Sequence, residues 1–330
     1  MKKTSTIAPA LVVMELSTLL LSCTPRSEGS PTPLRVAAPA LEQNALIYVA
    51  ANENYFAANG LAVTIEDLDT GAASLAALAK GEAQIAETAE FPLVSAILAG
   101  GDLRVVAIND RFENDYLVFK KDSGITRFAD LKGKRIGVTQ NAIGAFYLDR
   151  FLVLNGMQPK DIILDDTKPT DFETALLSGR VDALVAWQPY VGRIEKAMAD
   201  KVGVWPVQNK QQVYGLLVCN STWLDGNATV VQRFLKSLRM ARDFLVKHPG
   251  EAKAVVAKRL GLEAPYLESV WRSHQFDLSL DNSLVVAMED EARWKIDKGD
   301  AKSTSLPDFV RTIYRQGLDA AYPAGQNMMR

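Results

Sequence analysis

From residue 34 onward the chain alternates short apolar runs with longer stretches in which apolar residues recur at helical spacing. Such alternation separates half-buried strands from amphipathic helices. The runs 34–38, 61–65, 83–86 and 103–108 read as strands, and 44–59, 72–79 and 91–98 as the helices between them. The first helix would bury Leu46, Ile47, Val49, Ala50, Tyr55 and Phe56, with Gly60 placed to end it. A second block repeats the layout. It has a turn and strand over 131–138, a helix over 144–155 closed by Gly156, a strand at 162–164, a helix over 171–177 ending at Gly179, and a strand at 183–186. Repeated βα units imply mostly parallel sheets covered by helices on both faces. The segments 116–119 and 213–219 bracket the second block and read as strands crossing between two lobes, the chain leaving near Asp115 and returning near Tyr214. The remainder is helical in pattern. In 228–246, Val231, Phe234, Leu235, Leu238, Ala241 and Leu245 form one stripe. Further helices are expected at 251–260, 265–274, 282–298 and 306–315.

The N-terminus has a different pattern. Met1-Lys2-Lys3 gives a positive start, 7–21 is largely apolar apart from Glu15, and Leu20-Leu21-Ser22-Cys23 follows. This reads as a signal peptide over residues 1–22, ending in a sequence that resembles a bacterial lipobox. Cys23 is then the first mature residue and the lipid attachment site, since a thiol can be alkylated and the freed amine acylated. Several acyl chains anchor stably where one would not. Residues 23–33 are Ser/Pro-rich and read as a flexible tether. The expected location is the periplasm or the outer face of the cytoplasmic membrane. A plain cleaved secretion signal is the alternative reading.

With 330 residues, 48% of them hydrophobic and 23% charged, the chain has ordinary globular composition and room for two lobes. Its net charge of -2 supplies no basic field for nucleic acid. Its cysteines are Cys23 and Cys219 and its histidines His248 and His274. That is too few for a Cys/His metal cluster, and it leaves little for nucleophilic catalysis. No catalytic residue, metal or cofactor is therefore assigned and the chain is read as a non-enzyme, although carboxylate catalysis stays open. Cys219 lies in the run 215–219 and reads as a buried thiol.

Several stretches match one family in order and spacing. They are Asn54-Tyr55-Phe56-Ala57-Ala58-Asn59-Gly60-Leu61, then Ala77-Leu78-Ala79-Lys80-Gly81-Glu82-Ala83-Gln84, then Lys121-Asp122-Ser123-Gly124-Ile125 with Asp130-Leu131-Lys132-Gly133-Lys134-Arg135-Ile136-Gly137-Val138, then Ala175-Leu176-Leu177-Ser178-Gly179-Arg180-Val181-Asp182-Ala183, and Ala186-Trp187-Gln188-Pro189-Tyr190. From about residue 34 to 245 the chain resembles the nitrate/sulfonate/taurine and thiamine-precursor class of ABC-importer solute-binding proteins. Gln84 and Gln188 stand where that family usually has acids. The resemblance implies a two-lobed periplasmic-binding-protein-like (type II) α/β fold, with two crossing strands and a ligand cleft between the lobes. Lobe one would comprise 34–115 and 215–330, and lobe two 116–214. It also implies a small-molecule ligand and an ABC permease as partners, and we expect a monomer. A secreted sensor module, or an enzyme on the same scaffold, is the competing reading.

Ligands of open α/β sheets sit beyond the carboxyl ends of the strands. The candidate ligand-binding residues there are Gln43, Thr70, Gly71, Thr88, Glu90, Asn109, Asp110, Thr139, Gln140, Asn141 and Trp187. Thr70-Gly71 and Thr139-Gln140-Asn141 precede helices, whose free N–H groups suit acidic ligand ends, although Thr and Asn there also serve as caps. Trp187 suits stacking on a ligand face or packing within its lobe. The strand-end segments carry Asp69, Glu87, Glu90, Asp110, Glu113 and Asp115 against Arg111 and Lys168. This acid excess favours a ligand with an amine or amino-heterocycle over a bare oxyanion, because like charges repel strongly once desolvated. Glu90 would either accept its N–H groups or cap the helix that follows. Asp110 would pair with Arg111 or a crossing-strand lysine.

Overall fold

The computed structural model describes Met1, residues 30–140 and residues 142–327. The signal peptide 1–22, Cys23, most of the tether and Asn141 lie outside the described residues.

In chain order the main elements are β1 (Thr32–Pro39), α1 (Ala45–Asn52), α2 (Tyr55–Ala58), β2 (Leu61–Leu68), α3 (Gly71–Ala79), β3 (Ile85–Ala89), α4 (Glu90–Leu98), β4 (Leu103–Phe112), β5 (Asp115–Lys120), β6 (Arg135–Val138), α5 (Ile143–Leu154) and β7 (Ile163–Asp166). They continue with α6 (Phe172–Leu177), β8 (Ala183–Trp187), α7 (Tyr190–Met198), β9 (Val202–Pro206), β10 (Val213–Asn220), α8 (Ser221–Lys247), α9 (Pro249–Leu260), α10 (Ala264–Trp271), β11 (Leu280–Asp281), α11 (Asn282–Lys298), α12 (Gln316–Ala321) and β12 (Gln326–Asn327). No described helix is long and apolar enough to cross a membrane.

Two five-stranded sheets organise the molecule, in the orders β2-β1-β3-β10-β4 and β7-β6-β8-β5-β9. In the first, β1 is parallel to β2 and β3, while β10 lies antiparallel between β3 and β4. In the second, β6 is parallel to β7 and β8, while β5 lies antiparallel between β8 and β9. The chain passes from β4 to β5 through residues 113–114 and returns from β9 to β10 through 207–212. Each crossing delivers the antiparallel strand of the sheet it enters. Because β5 starts opposite Trp187, at the carboxyl end of β8, and β10 starts opposite Phe112 and passes Ala89, the carboxyl ends of both sheets face one another across the crossings.

The cores follow from this layering. β10 is buried on both faces, which is why its sequence is a continuous apolar run and not an alternating one. Against that sheet lies α8, whose stripe Val231, Phe234, Leu235, Leu238, Ala241 and Leu245 is buried as its spacing predicts. In the second sheet, Leu117, Ile136 and Val185 pack with Phe146, Tyr147 and Phe151 on one face. Val118, Leu184 and Ala186 pack with Phe172, Ile194 and Met198 on the other.

Several sequence expectations are corrected. The helix expected over 44–59 is divided, because Asn54 takes a left-handed φ of 58° between α1 and α2. The strands expected to stop at 86 and 108 continue to Ala89 and Phe112, so Glu87, Thr88, Asn109 and Asp110 are strand residues. Polar side chains interrupt the apolar run there, but the hydrogen-bonded ladder does not stop. β9 has no counterpart among the expected strands, its five residues being broken by Gly203 and ending in Pro206. The helix expected over 306–315 is a single 3-10 turn at Phe309–Thr312, followed by α12.

Candidate functional site

The gap between the carboxyl ends is floored by polar groups that the sheets bury completely. On the first side, Gln43 sits in the turn after β1 and donates from Nε2 to both carboxylate oxygens of Glu87, at 2.9 and 3.1 Å. Asn44 adds a donor to Glu87 at 3.3 Å and another to the Pro39 carbonyl at 2.9 Å. Asn109 closes the set by donating to the Gln43 carbonyl at 3.1 Å. Gly215 of β10 makes room, because a Cβ there would lie 3.2 Å from Glu87 and 3.3 Å from Asn109. Burial pushes the Glu87 carboxyl up to about 8, against the pull of its amide donors.

Asp110 pairs with neither Arg111 nor a lysine. Its carboxylate meets His274 Nδ1 and the backbone N–H of Gln275 (3.0 Å), while Arg111 is bound to Asp281. Burial raises Asp110 to about 6, and the His274 partner works against the rise. The two histidines thus have different surroundings: His274 is buried against Phe112 and Phe276, and His248 lies exposed beside Glu251.

Glu90 opens α4, but Ala89 is the N-cap position and no side chain caps it. The Glu90 side chain turns instead to the return crossing and accepts the Tyr214 backbone N–H at 2.8 Å. Beside it stand Glu291 of α11 and, with electrostatic influence, Asp115 at the start of β5. Tyr147 of α5 lies in the same neighbourhood, under the influence of all three acids. All four side chains are buried. Burial pushes Glu90 up to about 8 and Asp115 to about 7, and drives Glu291 well above the carboxylate range with Glu90 adding to the effect.

Around this locus the lobes are stitched together by α11. The Trp294 ring lies 5.9 Å from both Phe91 of α4 and Phe146 of α5, and its Nε1 donates to Asp149 at 2.9 Å. Lys298 reaches the same Asp149 at 2.6 Å, and Arg150 faces Asp290 at 3.8 Å. Lys295, one turn beyond Glu291, places Nζ 3.5 Å from the Phe91 ring centre. Desolvation lowers its pKa to about 8, with Glu291 opposing the fall.

The other candidates lie around the rim. Thr70 is exposed and caps α3 by accepting the Ala73 N–H at 3.1 Å. Gly71 presses so closely on Thr88 that an added Cβ would lie 2.5 Å from its hydroxyl and 2.9 Å from its Cα. Thr88 itself is buried and donates to the Ala89 carbonyl at 3.3 Å. Across the gap, Thr139 donates to the Thr167 carbonyl at 2.8 Å and the Gln140 N–H bonds Asp166 at 3.1 Å. Trp187 ends β8 half-buried, edge-on to Phe172 and Tyr190 at 5.6 and 5.5 Å. The structure therefore gathers Gln43, Glu87 and Asn109 into one hydrogen-bonded group and packs Gly71, next to Thr70, against Thr88. It takes Asp110 away to His274. Sequence reasoning missed Tyr147, Gln208, Glu291 and Lys295. Only the Glu291/Lys295 spacing offered a signal, and it is the ordinary spacing of a solvated ion pair. Among the described residues no group of three or more His, Cys, Asp or Glu side chains is arranged to hold a metal ion.

This architecture of two sheets, two short crossings and opposed carboxyl ends is that of a two-lobed binding-protein fold. The chain belongs to the NMT1/THI5 like family, whose profile matches residues 42–252, more than half of its length. It is similar to the taurine-binding periplasmic protein of Escherichia coli (strain K12), 26% identical over 240 residues that cover 70% of this chain and 67% of that protein. It spans about half the length (54%) of the binding proteins of Brucella that it matches. Among solved structures, the periplasmic aliphatic sulphonate binding protein SsuA from Escherichia coli superposes with a TM-score of 0.75 at 20% identity, covering 89% of this chain and 100% of that one. The desulfurization enzyme DSZB superposes with a TM-score of 0.65 at 17% identity, covering 89% and 99%. At these identities the structural likeness is one of fold.

Proposed function

We propose that the chain is the extracytoplasmic solute-binding component of an ABC importer. It would close its lobes on a small nitrogen- or sulfur-containing metabolite, of the sulfonate, taurine, nitrate or pyrimidine-like class, and present it to a permease. The observation that carries this is the opposition of two sets of strand ends across two short crossings, where a ligand can touch both lobes and favour their closure. In this reading lobe one is 34–115 with 215–330, lobe two is 116–214, and the protein acts as a monomer. Glu90, Thr88, Gly71, Thr70, Thr139, Gln140, Asn141 and Trp187 provide ligand contacts, with Gln43 and Asn109 behind them. Cys23 carries the lipid that holds the mature protein at the membrane face. An enzymatic reading draws on the fold shared with DSZB. Against a thiol nucleophile, Cys219 is fully buried and its desolvated thiol is pushed up to about 12.

Native mass spectrometry of the full-length protein purified under non-denaturing conditions tests the reading. A small-molecule mass adduct that disappears on unfolding is expected. A protein that carries none, and gains none when titrated with taurine, alkylsulfonates, nitrate or aminopyrimidines, would sink it. Fractionation of Cys23→Ala tests the anchor, which predicts release from membranes into the soluble extract.

A further inference from the structure

Among the described residues, the buried locus of Glu90, Asp115, Tyr147 and Glu291 draws one well-formed N–H donor, that of Tyr214 to Glu90. Oε1 of Glu90, Oδ1 of Asp115, the Tyr147 hydroxyl and both carboxylate oxygens of Glu291 take no well-formed hydrogen bond among the described residues. Glu90 and Glu291 meet side chain to side chain, and in the unliganded protein their own carboxyl protons are the donors that pass between them. Gln208 approaches Tyr147, but its oxygen already accepts from the Asn114 and Asp115 backbones and its nitrogen donates to the Phe112 and Gln211 carbonyls. Buried polar atoms are nearly always satisfied, so a cluster of orphaned oxygens at one place needs an explanation.

The orphans come from different parts of the molecule. Glu90 opens α4 beside the first sheet, Asp115 starts the strand that enters the second, Tyr147 belongs to α5 of the second, and Glu291 to the helix that grips both. The nearby cation offsets Glu291 only in part and from a distance. Lys295 is spent on the face of Phe91, and among the described residues no carboxylate oxygen lies within 4.0 Å of its Nζ. Asp115 also lines a cavity of about 280 Å³ at the crossings, together with Glu113, Gln208, Arg272 and Gln275, so the locus borders that cavity at this one residue.

We infer that Glu90, Asp115, Tyr147 and Glu291 together receive a protonated amine of the ligand, so that the metabolite is a small ammonium-bearing cation or zwitterion. This rests on the solute-binding reading above and narrows its ligand class. An ammonium offers three N–H donors to acceptors that the protein leaves open. It also supplies the positive charge that three buried carboxyl groups lack. Without ligand, burial favours the protonated forms of Glu90 and Glu291 at neutral pH, while Asp115, pushed up to about 7, is divided between its two forms. An arriving ammonium favours their ionised forms, and each carboxyl that ionises gives its proton to solvent. The groups facing the locus are Glu90 and the Tyr214 N–H, Asp115, Tyr147 with Gln208, and Glu291 with Lys295. Binding should therefore tighten between about pH 5 and 8, by up to about tenfold per pH unit for each proton released.

Calorimetric titration with matched probes tests this: taurine against ethanesulfonate, and β-alanine against propionate. The amine-bearing member of a pair should bind at least tenfold more tightly. Its heat should differ between two buffers of unlike ionisation enthalpy by the amount that marks proton release. Tyr147→Phe and Glu90→Gln should each weaken it tenfold or more, the former serving where the latter does not fold. If ethanesulfonate binds as tightly as taurine, or amine binding releases no proton and survives both substitutions, the amine assignment falls and the solute-binding reading stands. If no probe binds and native mass spectrometry finds no adduct, both fall.

Discussion

Glu87 and Glu90 are three residues apart, both completely buried, and both pushed up to about 8 by the loss of water. Their surroundings differ in kind. Glu87 ends within a strand, and its two oxygens are met by Gln43 and Asn44, side chains fixed in the first helical turns after β1. Glu90 begins a helix and has one backbone donor, with acids and a tyrosine around its remaining oxygen. Burial alone therefore does not tell a structural carboxyl from one held ready for a ligand. The partners decide: a carboxyl whose donors come from its own lobe ties that lobe together, and one left facing acceptors from several elements is the kind we propose to meet a donor from outside.

The comparison breaks most readily at Glu87. Glu87→Ala would leave the buried Gln43 Nε2 without its acceptor and take from Asn44 Nδ2 one of its two, the other being the Pro39 carbonyl. Each orphaned group costs about 1–3 kcal/mol, so a loss of about 3 kcal/mol is expected from urea unfolding. A loss below about 1 kcal/mol would show that Glu87 is not the hub of its cluster.

Glu90 should behave differently, with its effect visible mainly in pH dependence. A carboxyl whose folded pKa is raised stabilises the native state fully below its unfolded pKa, near 4.5 for Glu. That stability disappears as pH rises through the folded value, here about 8. The unliganded protein should thus lose stability between about pH 5 and 8, with Asp110 and Asp115 contributing over the lower part of the range. Glu90→Gln removes one titrating group and should flatten the slope by up to about 1.4 kcal/mol per pH unit. Glu291, relieved of a like neighbour, would ionise more easily and flatten it further. Urea midpoints measured across this range would check it, and parallel profiles for wild type and Glu90→Gln would contradict the placement of a titrating proton at Glu90.

Much of the scaffold behind this contrast is legible in the sequence. The uninterrupted apolar run of β10 marks a strand buried on both faces, and the stripe of α8 marks the face that covers it. The candidate site is legible only in part. Glu87, Thr88, Asn109 and Asp110 look like loop residues because polar side chains end an apolar run, whereas backbone pairing carries both strands past them. Asp110 has an arginine next door, yet its partner is His274, brought in by a segment that pairs with the outer edge of β4. Tyr147 reads as one more apolar position of α5, and its hydroxyl matters only because α4, β5 and α11 converge on it. Contacts of that kind depend on how helices from distant parts of the chain are brought together, and no local pattern encodes them.

Thr70 sharpens the contrast at the smallest scale, because one hydroxyl there can serve either duty. Its oxygen already accepts the Ala73 N–H and so fixes the start of α3, the helix whose first residue presses on Thr88. Its proton is not engaged among the described residues and remains free for a ligand. Thr70→Ala should cost about 1 kcal/mol through the lost cap, and Thr70→Ser should recover nearly all of it. If the hydroxyl also meets the ligand, calorimetry on the same pair should show affinity falling with alanine and returning with serine. Stability lost with affinity unchanged would leave Thr70 as a cap alone, on the structural side of the division with Glu87. The ligand contacts of that rim would then rest on Gly71 and Thr88, where close packing rather than a free hydroxyl sets the shape.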